Sequence, residues 1–279
     1  MQLINYIKIL RPFNLLISII CVLLSAFILD QLTENLLPII SVIFLLGGFS
    51  NIINDIIDYK IDYANNLNRP IASNVISIKA AFLYSLLLLL IACIITINFN
   101  ILTKSLILLL LLPLIILYTP FFKKIPLLGN IIVSFILSMV FIITSTYLLG
   151  EIHSEIIPPF IFAFFLMLIR EIVKDIADLE GDKKFNIQTL PVKFGINIAI
   201  SFIYSFTIIL FFLSILIYYL YESYDIFYLF NILVFIHCPL FFSIYQLSKN
   251  KTSIYCIYLS KVLKLLTIFG VIVIYLASI

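Results

Sequence analysis

Charged residues are scarce in this chain, since Asp, Glu, Lys and Arg make up only 11% of its 279 residues. A soluble domain contains about 25% charged residues, which keep its surface solvated. Hydrophobic residues make up 64% of the chain instead, and the mean hydropathy is +1.24. This composition excludes a water-soluble globule and a disordered chain. It predicts an integral membrane protein surrounded by lipid.

Features of several other protein classes are also missing. Cys21, Cys93, Cys238 and Cys256 are scattered and form no C-x-x-C pair, which argues against a disulfide framework or a zinc site. The net charge is only +3, so no nucleic acid is expected as a partner. Glycine-rich nucleotide-binding motifs and the G-x-S-x-G hydrolase motif do not occur.

Long apolar runs dominate the sequence. A membrane-spanning helix needs about 20 mostly apolar residues. The nine runs of this kind are 13–29, 36–56, 78–98, 103–119, 127–149, 156–177, 197–220, 226–246 and 260–278. They show no alternation of period two, which favours helices over barrel strands. The predicted fold is therefore all-α, a polytopic membrane protein with nine transmembrane helices.

The basic residues predict the orientation of these helices. With the amino terminus in the cytoplasm, 16 of the 17 Lys and Arg residues fall in cytoplasmic segments, and only Lys104 falls outside. Cytoplasmic loops of membrane proteins carry such an excess of basic residues. We therefore expect a multi-pass protein of the cytoplasmic membrane whose amino terminus faces the cytoplasm.

Two groups of aspartates interrupt the apolar pattern. The first aspartate cluster ends the second predicted span and consists of Asp55, Asp58 and Asp62. The second aspartate cluster ends the sixth span and consists of Asp175, Asp178 and Asp182. Both have the spacing i, i+3 and i+7, and Asp55 and Asp175 are 120 residues apart. On a helix that turns about 100° per residue, the three aspartates of each cluster share one face.

The equal spacing predicts an internal repeat within a single domain of residues 1–279. The halves would be roughly 1–125 and 126–250, each a four-helix bundle, with the ninth helix added at the end. The two clusters would then face each other across a central cavity whose mouth is cytoplasmic. Aspartates at helix ends are often only solvated, but two triple clusters at equivalent places favour a shared site.

Facing carboxylates repel one another unless cations neutralise them. Mg²⁺ prefers oxygen ligands and is typically shared between carboxylates and the phosphates of a substrate. The clusters therefore predict a Mg²⁺ site that binds a phosphate or diphosphate. Nearby Lys and Arg residues would bind the remaining phosphate charge.

At these residues the chain resembles the UbiA superfamily of intramembrane prenyltransferases. Those proteins have nine helices, with N-D-x-x-D-x-x-x-D on the second and D-x-x-D or D-x-x-x-D on the sixth. Asn54 and the first cluster match the first motif, and the second cluster matches the second. The residues around the second cluster are similar to the branch of digeranylgeranylglyceryl phosphate synthases, although Ala177 stands where that branch is expected to have Glu. Three further segments are similar, Arg11-Pro12 with Asn14, Asn68-Arg69-Pro70 and Tyr118 to Asn130.

The resemblance implies an enzyme that transfers a prenyl group from a polyprenyl diphosphate, geranylgeranyl diphosphate, in membrane ether-lipid biosynthesis. The donor ionises to an allylic carbocation, which the free hydroxyl of geranylgeranylglyceryl phosphate attacks. All six aspartates are implied as catalytic Mg²⁺ ligands. Contacts to the diphosphate are implied for Asn14, Asn54, Arg69, Tyr118, Lys123 and Lys174.

Two alternatives remain open from the sequence. An aromatic acceptor, as in quinone, haem or chlorophyll biosynthesis, would need one Arg or Lys and a flat slot rather than a second phosphate site. A cation transporter would also use intramembrane carboxylates. The transporter is disfavoured because both clusters lie at helix ends on one side and no carboxylates continue to the other side.

Overall fold

The computed structural model describes residues 2–64 and 69–277. Within these ranges the chain is helical and contains no strand. Asn68, in one of the segments that resemble prenyltransferases, lies outside the described residues. The twelve helices used below are α1 Gln2–Ile9, α2 Pro12–Ile28, α3 Leu37–Ala64, α4 Ile78–Thr96, α5 Ile101–Tyr118, α6 Leu128–Leu149, α7 Ile157–Ala177, α8 Leu179–Lys184, α9 Leu190–Phe194, α10 Ile196–Leu220, α11 Ile226–Lys249 and α12 Ser253–Ala277.

Eight of the described helices are long and apolar enough to cross a membrane. They are α3, α4, α5, α6, α7 (counted with the short 3₁₀ turn before it), α10, α11 and α12. Helix α2, predicted as the first span, is also apolar but has only 17 residues. The all-helical, multi-pass architecture is therefore confirmed, whereas the count of nine spans stays a prediction.

Two helices contain a wider, π-helical turn at equivalent places. The turn is Leu106–Leu111 in α5 and Leu233–His237 in α11, and Pro113 and Pro239 follow two residues later. A proline has no N–H to donate and its ring clashes with the carbonyl four residues earlier, which disturbs the preceding turn. This parallel between the fourth and eighth predicted spans favours the internal repeat. The repeat and its halves, 1–125 and 126–250, stay predictions.

The buried apolar residues form two clusters. One extends from Ile9 to Ala163 and the other from Phe162 to Ile274. Helix α6 packs along α7 and joins them, while α12 packs against both α7 and α2. Helix α2 approaches α3 closely at Gly47, where an added Cβ would lie 2.6 Å from Leu15 Cδ2. This packing brings the carboxyl ends of α3 and α7 to the same end of the bundle.

Candidate active site

The first aspartate cluster lies on one continuous helix, as predicted. Helix α3 extends to Ala64, beyond the predicted end of the span at 56, and so includes all three aspartates. Asp55, Asp58 and Asp62 are buried, with exposed fractions of 2%, 8% and 4%. Buried carboxylates need charged or hydrogen-bonding partners. Three basic side chains provide them.

These partners come from three segments that are distant in sequence. Arg11, in the left-handed turn between α1 and α2, donates to Asp55. Arg69 Nη1 donates to Asp55 Oδ1 at 3.1 Å and to Asp62 Oδ2 at 2.6 Å. Lys123 Nζ donates to Asp58 Oδ2 at 2.5 Å. Each aspartate of the first cluster therefore has a cationic partner.

Glycine at position 129 allows the segment that carries Lys123 to pack against α6. A Cβ at Gly129 would lie 2.8 Å from the Phe122 carbonyl oxygen, which is too close for any other residue without a backbone shift. The short 3₁₀ helix Phe122–Lys124 thus lies directly on the first turn of α6. In this position Lys123 reaches across to α3.

The second aspartate cluster departs from the prediction of one helical face. Helix α7 ends at Ala177, Asp178 has φ −94° and ψ 7°, and the short helix α8 follows. The three aspartates therefore lie on two helices joined at Asp178, and the single-helix interpretation of this cluster is wrong. Tertiary packing explains the break, because α8 turns to contact α3. Asp182 is thereby buried, whereas Asp178 is exposed.

Neutral side chains hydrogen-bond to the second cluster. Asn130 Nδ2 donates to Asp175 Oδ2 at 2.8 Å, and Thr189 Oγ1 donates to Asp182 Oδ2 at 3.2 Å. Burial raises the pKa of Asp182 to about 6, although the charge of Lys123 acts in the opposite direction. The side chain of Asp178 is exposed, but the protein around it displaces part of its water and so raises its pKa, against the charge of Lys174. A nearby cation would favour the ionised form of both carboxyl groups.

The two clusters face each other, with Lys123 between them. Besides its bond to Asp58, Lys123 acts electrostatically on Asp178 and Asp182. Asp58 and Asp182 also interact with each other through their charges. Tyr118, at the end of α5, lies within electrostatic range of carboxylates from both clusters. The structure therefore brings together all six predicted aspartates, Tyr118, Arg69 and Lys123.

The other predicted diphosphate contacts have partners in the protein. Asn54 accepts a hydrogen bond from Thr119, next to the clusters. Asn14 accepts one from Lys264, and Lys174 Nζ donates to Glu171 Oε2 at 2.6 Å rather than to an aspartate. Asn14 and Lys174 thus lie in a neighbouring group of polar and charged side chains that includes Glu171 and Lys264.

Sequence reasoning assigned no role to several residues of the site. Arg11 and Asn130 lie in segments that resemble the prenyltransferases, so the resemblance was the signal that pointed to them. Thr119 also lies in one of these segments, and Thr189 begins the stretch Thr189-Leu190-Pro191, which is similar to the digeranylgeranylglyceryl phosphate synthases, but an uncharged threonine was not singled out as a site residue. Lys264 counted only as one of many basic residues on the cytoplasmic side.

An apolar cavity begins beside the first aspartate cluster. Asn51, at its polar end, precedes Asp55 by one helical turn, about 6 Å along α3. The cavity continues to Val42, about 13 Å further along the helix, between α2, α3, α5 and α6. Ile107 and Leu111, in the π-helical turn of α5, line its side. The lining of this first cavity is mostly apolar apart from its polar end, which suits an apolar chain attached to a charged head.

Comparison with known proteins agrees with this arrangement. Residues 15–275 match the UbiA prenyltransferase family. The chain belongs to this family. Digeranylgeranylglyceryl phosphate synthase of Methanosphaera stadtmanae is 37% identical over 232 residues, 82% of this chain and 83% of that protein. The enzyme of the same name from one strain of Methanococcus maripaludis is 35% identical over 250 residues, 88% of this chain and 86% of that protein.

Solved structures of UbiA proteins share the fold. A structure reported for digeranylgeranylglyceryl phosphate synthase in membranes superposes with a TM-score of 0.77 at 26% identity, over 99% of this chain and 98% of that one. A UbiA homologue from Archaeoglobus fulgidus bound to DMAPP and Mg²⁺ has a TM-score of 0.69 at 20% identity, over 97% of this chain and 99% of that one. The protein is thus a UbiA prenyltransferase of the membrane.

The six aspartates of this UbiA protein suit a divalent cation, both in the type of ligand atom and in charge. When all six aspartates are ionised, they outnumber Arg11, Arg69 and Lys123 by three negative charges. All six provide oxygen ligands, which Mg²⁺ prefers. Across residues 2–64 and 69–277, no three carboxylate, His or Cys groups are close enough together to hold a metal ion. Three of the aspartates instead bind the basic side chains.

Replacing Lys123 tests the competition between this lysine and a metal ion. We expect Lys123→Met to lower the stability of the metal-free protein by about 1–3 kcal/mol, because buried Asp58 loses its partner. We also expect Mg²⁺ to raise the Tm of the variant more than that of the wild type, since Lys123 no longer competes for Asp58. Thermal unfolding in detergent, with and without Mg²⁺, measures both effects. Exposed Lys124 next to it is the matched control, and equal Mg²⁺ responses in Lys123→Met and Lys124→Met would contradict the prediction.

Proposed function

We propose that this protein transfers a geranylgeranyl group from geranylgeranyl diphosphate to the free hydroxyl of geranylgeranylglyceryl phosphate, in the biosynthesis of membrane ether lipids. The observation that carries the proposal is the pair of facing aspartate clusters at the end of an apolar cavity. The names of the relatives from Methanosphaera and Methanococcus support the choice of acceptor. Lipid surrounds the protein and supplies both substrates.

The residues of the site suit an ionisation mechanism. The diphosphate lies between the clusters, where Arg69 and Lys123 bind its oxygens and the prenyl chain extends into the first cavity. The bond between C1 of the chain and the diphosphate oxygen breaks, and the diphosphate leaves with the electron pair. The acceptor hydroxyl forms the new ether bond at C1 and loses its proton, which the released diphosphate accepts. The apolar walls keep water away from the allylic carbocation in between.

The metal in this proposal is Mg²⁺. Its proposed ligands are Asp55, Asp58, Asp62, Asp175, Asp178 and Asp182. When bound, Mg²⁺ supplies positive charge that stabilises the leaving diphosphate. The Archaeoglobus homologues bound to DMAPP and Mg²⁺, and to GPP and Mg²⁺, support this assignment. We also propose Asn14, Asn54, Tyr118 and Lys174 as polar groups around the diphosphate, although Asn14 and Lys174 have other partners in this structure.

The proposed location is the cytoplasmic membrane, with the amino terminus and the mouth of the site facing the cytoplasm. In a cysteine-free background, we expect impermeant thiol reagents to label Glu151→Cys and Glu222→Cys from outside the cell. The same reagents should label Lys124→Cys and Lys249→Cys only after the membrane is opened, because these residues lie at the opposite helix ends. Labelling of all four from one side would contradict the proposed orientation and the count of nine spans.

Product analysis tests the reaction. Purified protein is offered geranylgeranyl diphosphate and Mg²⁺ with a panel of acceptors, and the products are identified by mass spectrometry. We expect the ether of geranylgeranylglyceryl phosphate as the main product, and no product after chelation of the metal. A product formed only from aromatic acids would contradict the proposed acceptor while leaving the prenyltransferase activity intact.

A further inference from the structure

A second group of charges lies beside the aspartate clusters, where α7 packs against α12. Buried Glu171 accepts hydrogen bonds from Arg170 Nη1 at 2.5 Å and from Lys174 Nζ at 2.6 Å. Arg170 Nε also donates to the Ser260 carbonyl oxygen of α12 at 3.3 Å. Lys264, one turn further along α12, interacts electrostatically with Arg170, Lys174 and Glu171. We call Arg170, Glu171, Lys174 and Lys264 the cationic group.

The charges of the cationic group do not balance. Within the group, three basic side chains face one carboxylate, which gives an excess of two positive charges, and Lys174 also acts on Asp178 of the second cluster. Lys264 is turned inward, where its Nζ donates to Asn14 of α2 and lies 5.0 Å from the centre of the Phe13 ring. By contrast, Lys261 on the same helix is exposed, as expected for a lysine that only contacts lipid headgroups. An inward-facing excess of positive charge is costly unless an anion binds there.

A second apolar cavity begins at this group. Arg170 and Lys264 lie at its polar end, and it continues along α7 to Ala163, about 10 Å away. Its walls come from α2, α6, α7 and α12 and are mostly apolar. Asn14, Ser18, Leu137 and Val140 line both this cavity and the first one, so the two lie side by side.

Arg11 links the cationic group to the aspartate clusters. It donates to Asp55 of the first cluster and also acts electrostatically on Glu171 and Lys264. An anion bound by Arg170 and Lys264 therefore lies close to the proposed diphosphate site, on two residues that the proposed function does not assign to the diphosphate. A transfer between two substrates, each with a charged head and an apolar chain, needs two such neighbouring sites.

We propose that the second cavity binds the acceptor, with Arg170 and Lys264 holding its phosphate and the apolar walls holding its chain. This inference rests on the proposed function, in which the acceptor carries one phosphate monoester. Such a phosphate has a charge of about −1.5 to −2 at pH 7, which matches the excess of two positive charges. Arg170 offers a planar pair of donors to it, and Lys264 offers a point charge. The first cavity is then left for the donor chain.

Substitution of Lys264 tests this site with two matched acceptors, geranylgeranylglyceryl phosphate and geranylgeranylglycerol. The readout is the ratio of kcat/KM for the phosphorylated acceptor to that for the phosphate-free acceptor. We expect Lys264→Gln and Arg170→Gln each to lower this ratio by roughly tenfold to a hundredfold, because each removes a charge-assisted hydrogen bond to the phosphate. Lys264→Arg, which keeps the charge, should restore most of the ratio. Lys261→Gln, on the exposed face of α12, should leave it unchanged.

An unchanged ratio in both Lys264→Gln and Arg170→Gln would overturn the inference. A rise in the KM for geranylgeranyl diphosphate, with the ratio between the two acceptors unchanged, would also overturn it, since Arg170 and Lys264 would then bind the donor. Binding of the two lipids is measured in parallel by thermal shift. If the wild-type protein forms no product from either lipid, the proposed function fails. The thermal shifts then still test the phosphate site, because the phosphorylated lipid should stabilise the wild type more than the phosphate-free lipid does, and Lys264→Gln should remove this difference.

Discussion

Prenyl transfer is expected to fall by about 10²- to 10³-fold when either Asp58 or Asp178 is replaced by asparagine. Asparagine keeps the size of the side chain but removes the negative charge that the proposed Mg²⁺ site requires. The two residues come from different clusters and helices, and both interact with Lys123 between them. A loss of similar size in both variants is therefore expected if one diphosphate lies between the clusters. Single-turnover assays with saturating donor measure the effect on the chemical step.

Glu180→Gln is the matched control for this experiment. Glu180 lies between Asp178 and Asp182 in sequence, is exposed, and lies outside both clusters. Its replacement removes one negative charge from the same short helix, so any general effect of charge at the membrane surface appears in this variant as well. Near-normal turnover in both aspartate variants, in protein that unfolds at the wild-type temperature, would remove the clusters from the proposed mechanism.

Magnesium and a donor analogue that cannot ionise are expected to stabilise the protein far more together than either does alone. A ligand that binds only the folded state stabilises it by about 2.7 kcal/mol at a concentration of 100 Kd. The carboxylates of the two clusters repel each other, as Asp58 and Asp182 show, so a cation and a diphosphate that bind jointly strengthen the contact between α3 and α8. Thermal unfolding with neither ligand, each ligand and both ligands measures this synergy.

The same variants reveal whether the clusters act as one unit. Asp58→Asn and Asp178→Asn should each abolish most of the synergy, and the double variant should behave much like either single variant. Residues that act together give such non-additive effects, whereas independent sites give additive ones. Two separate, additive losses would indicate that the clusters form two independent sites, and would rule out one Mg²⁺–diphosphate site that both clusters share. Glu180→Gln should retain the full synergy.

The sequence was sufficient to predict the first aspartate cluster as a structural unit. Its i, i+3, i+7 spacing is typical of one helical face, and no proline or glycine interrupts the chain between Gly48 and Asp62. The second cluster has the same spacing, yet α7 ends at Ala177 and a separate helix carries Asp182. Local sequence does not determine this break, because it depends on the packing of α8 against α3 and on the hydrogen bond from Thr189.

The partners of the charged groups were not predictable from local patterns. Arg11 and Asp55 are 44 residues apart, Asn130 and Asp175 are 45 apart, and Asn14 and Lys264 are 250 apart. Residues separated by so many positions in the sequence follow no periodic pattern from which their contact could be predicted. The same limit applies to the two cavities. Helices α2 and α6 line both of them, α3 and α5 complete the first, and α7 and α12 complete the second.

The amino-acid sequence was therefore sufficient to predict the membrane class, the long apolar helices and the family. Composition and the length of apolar runs reflect the transfer of side chains into lipid, which acts on each segment separately. The pairing of cations with carboxylates, the division of the second cluster between two helices and the position of Lys264 became visible only in the folded chain. These features depend on how helices pack against one another. Packing is set by the fit of many side chains at once, including the close approach of α2 to α3 at Gly47.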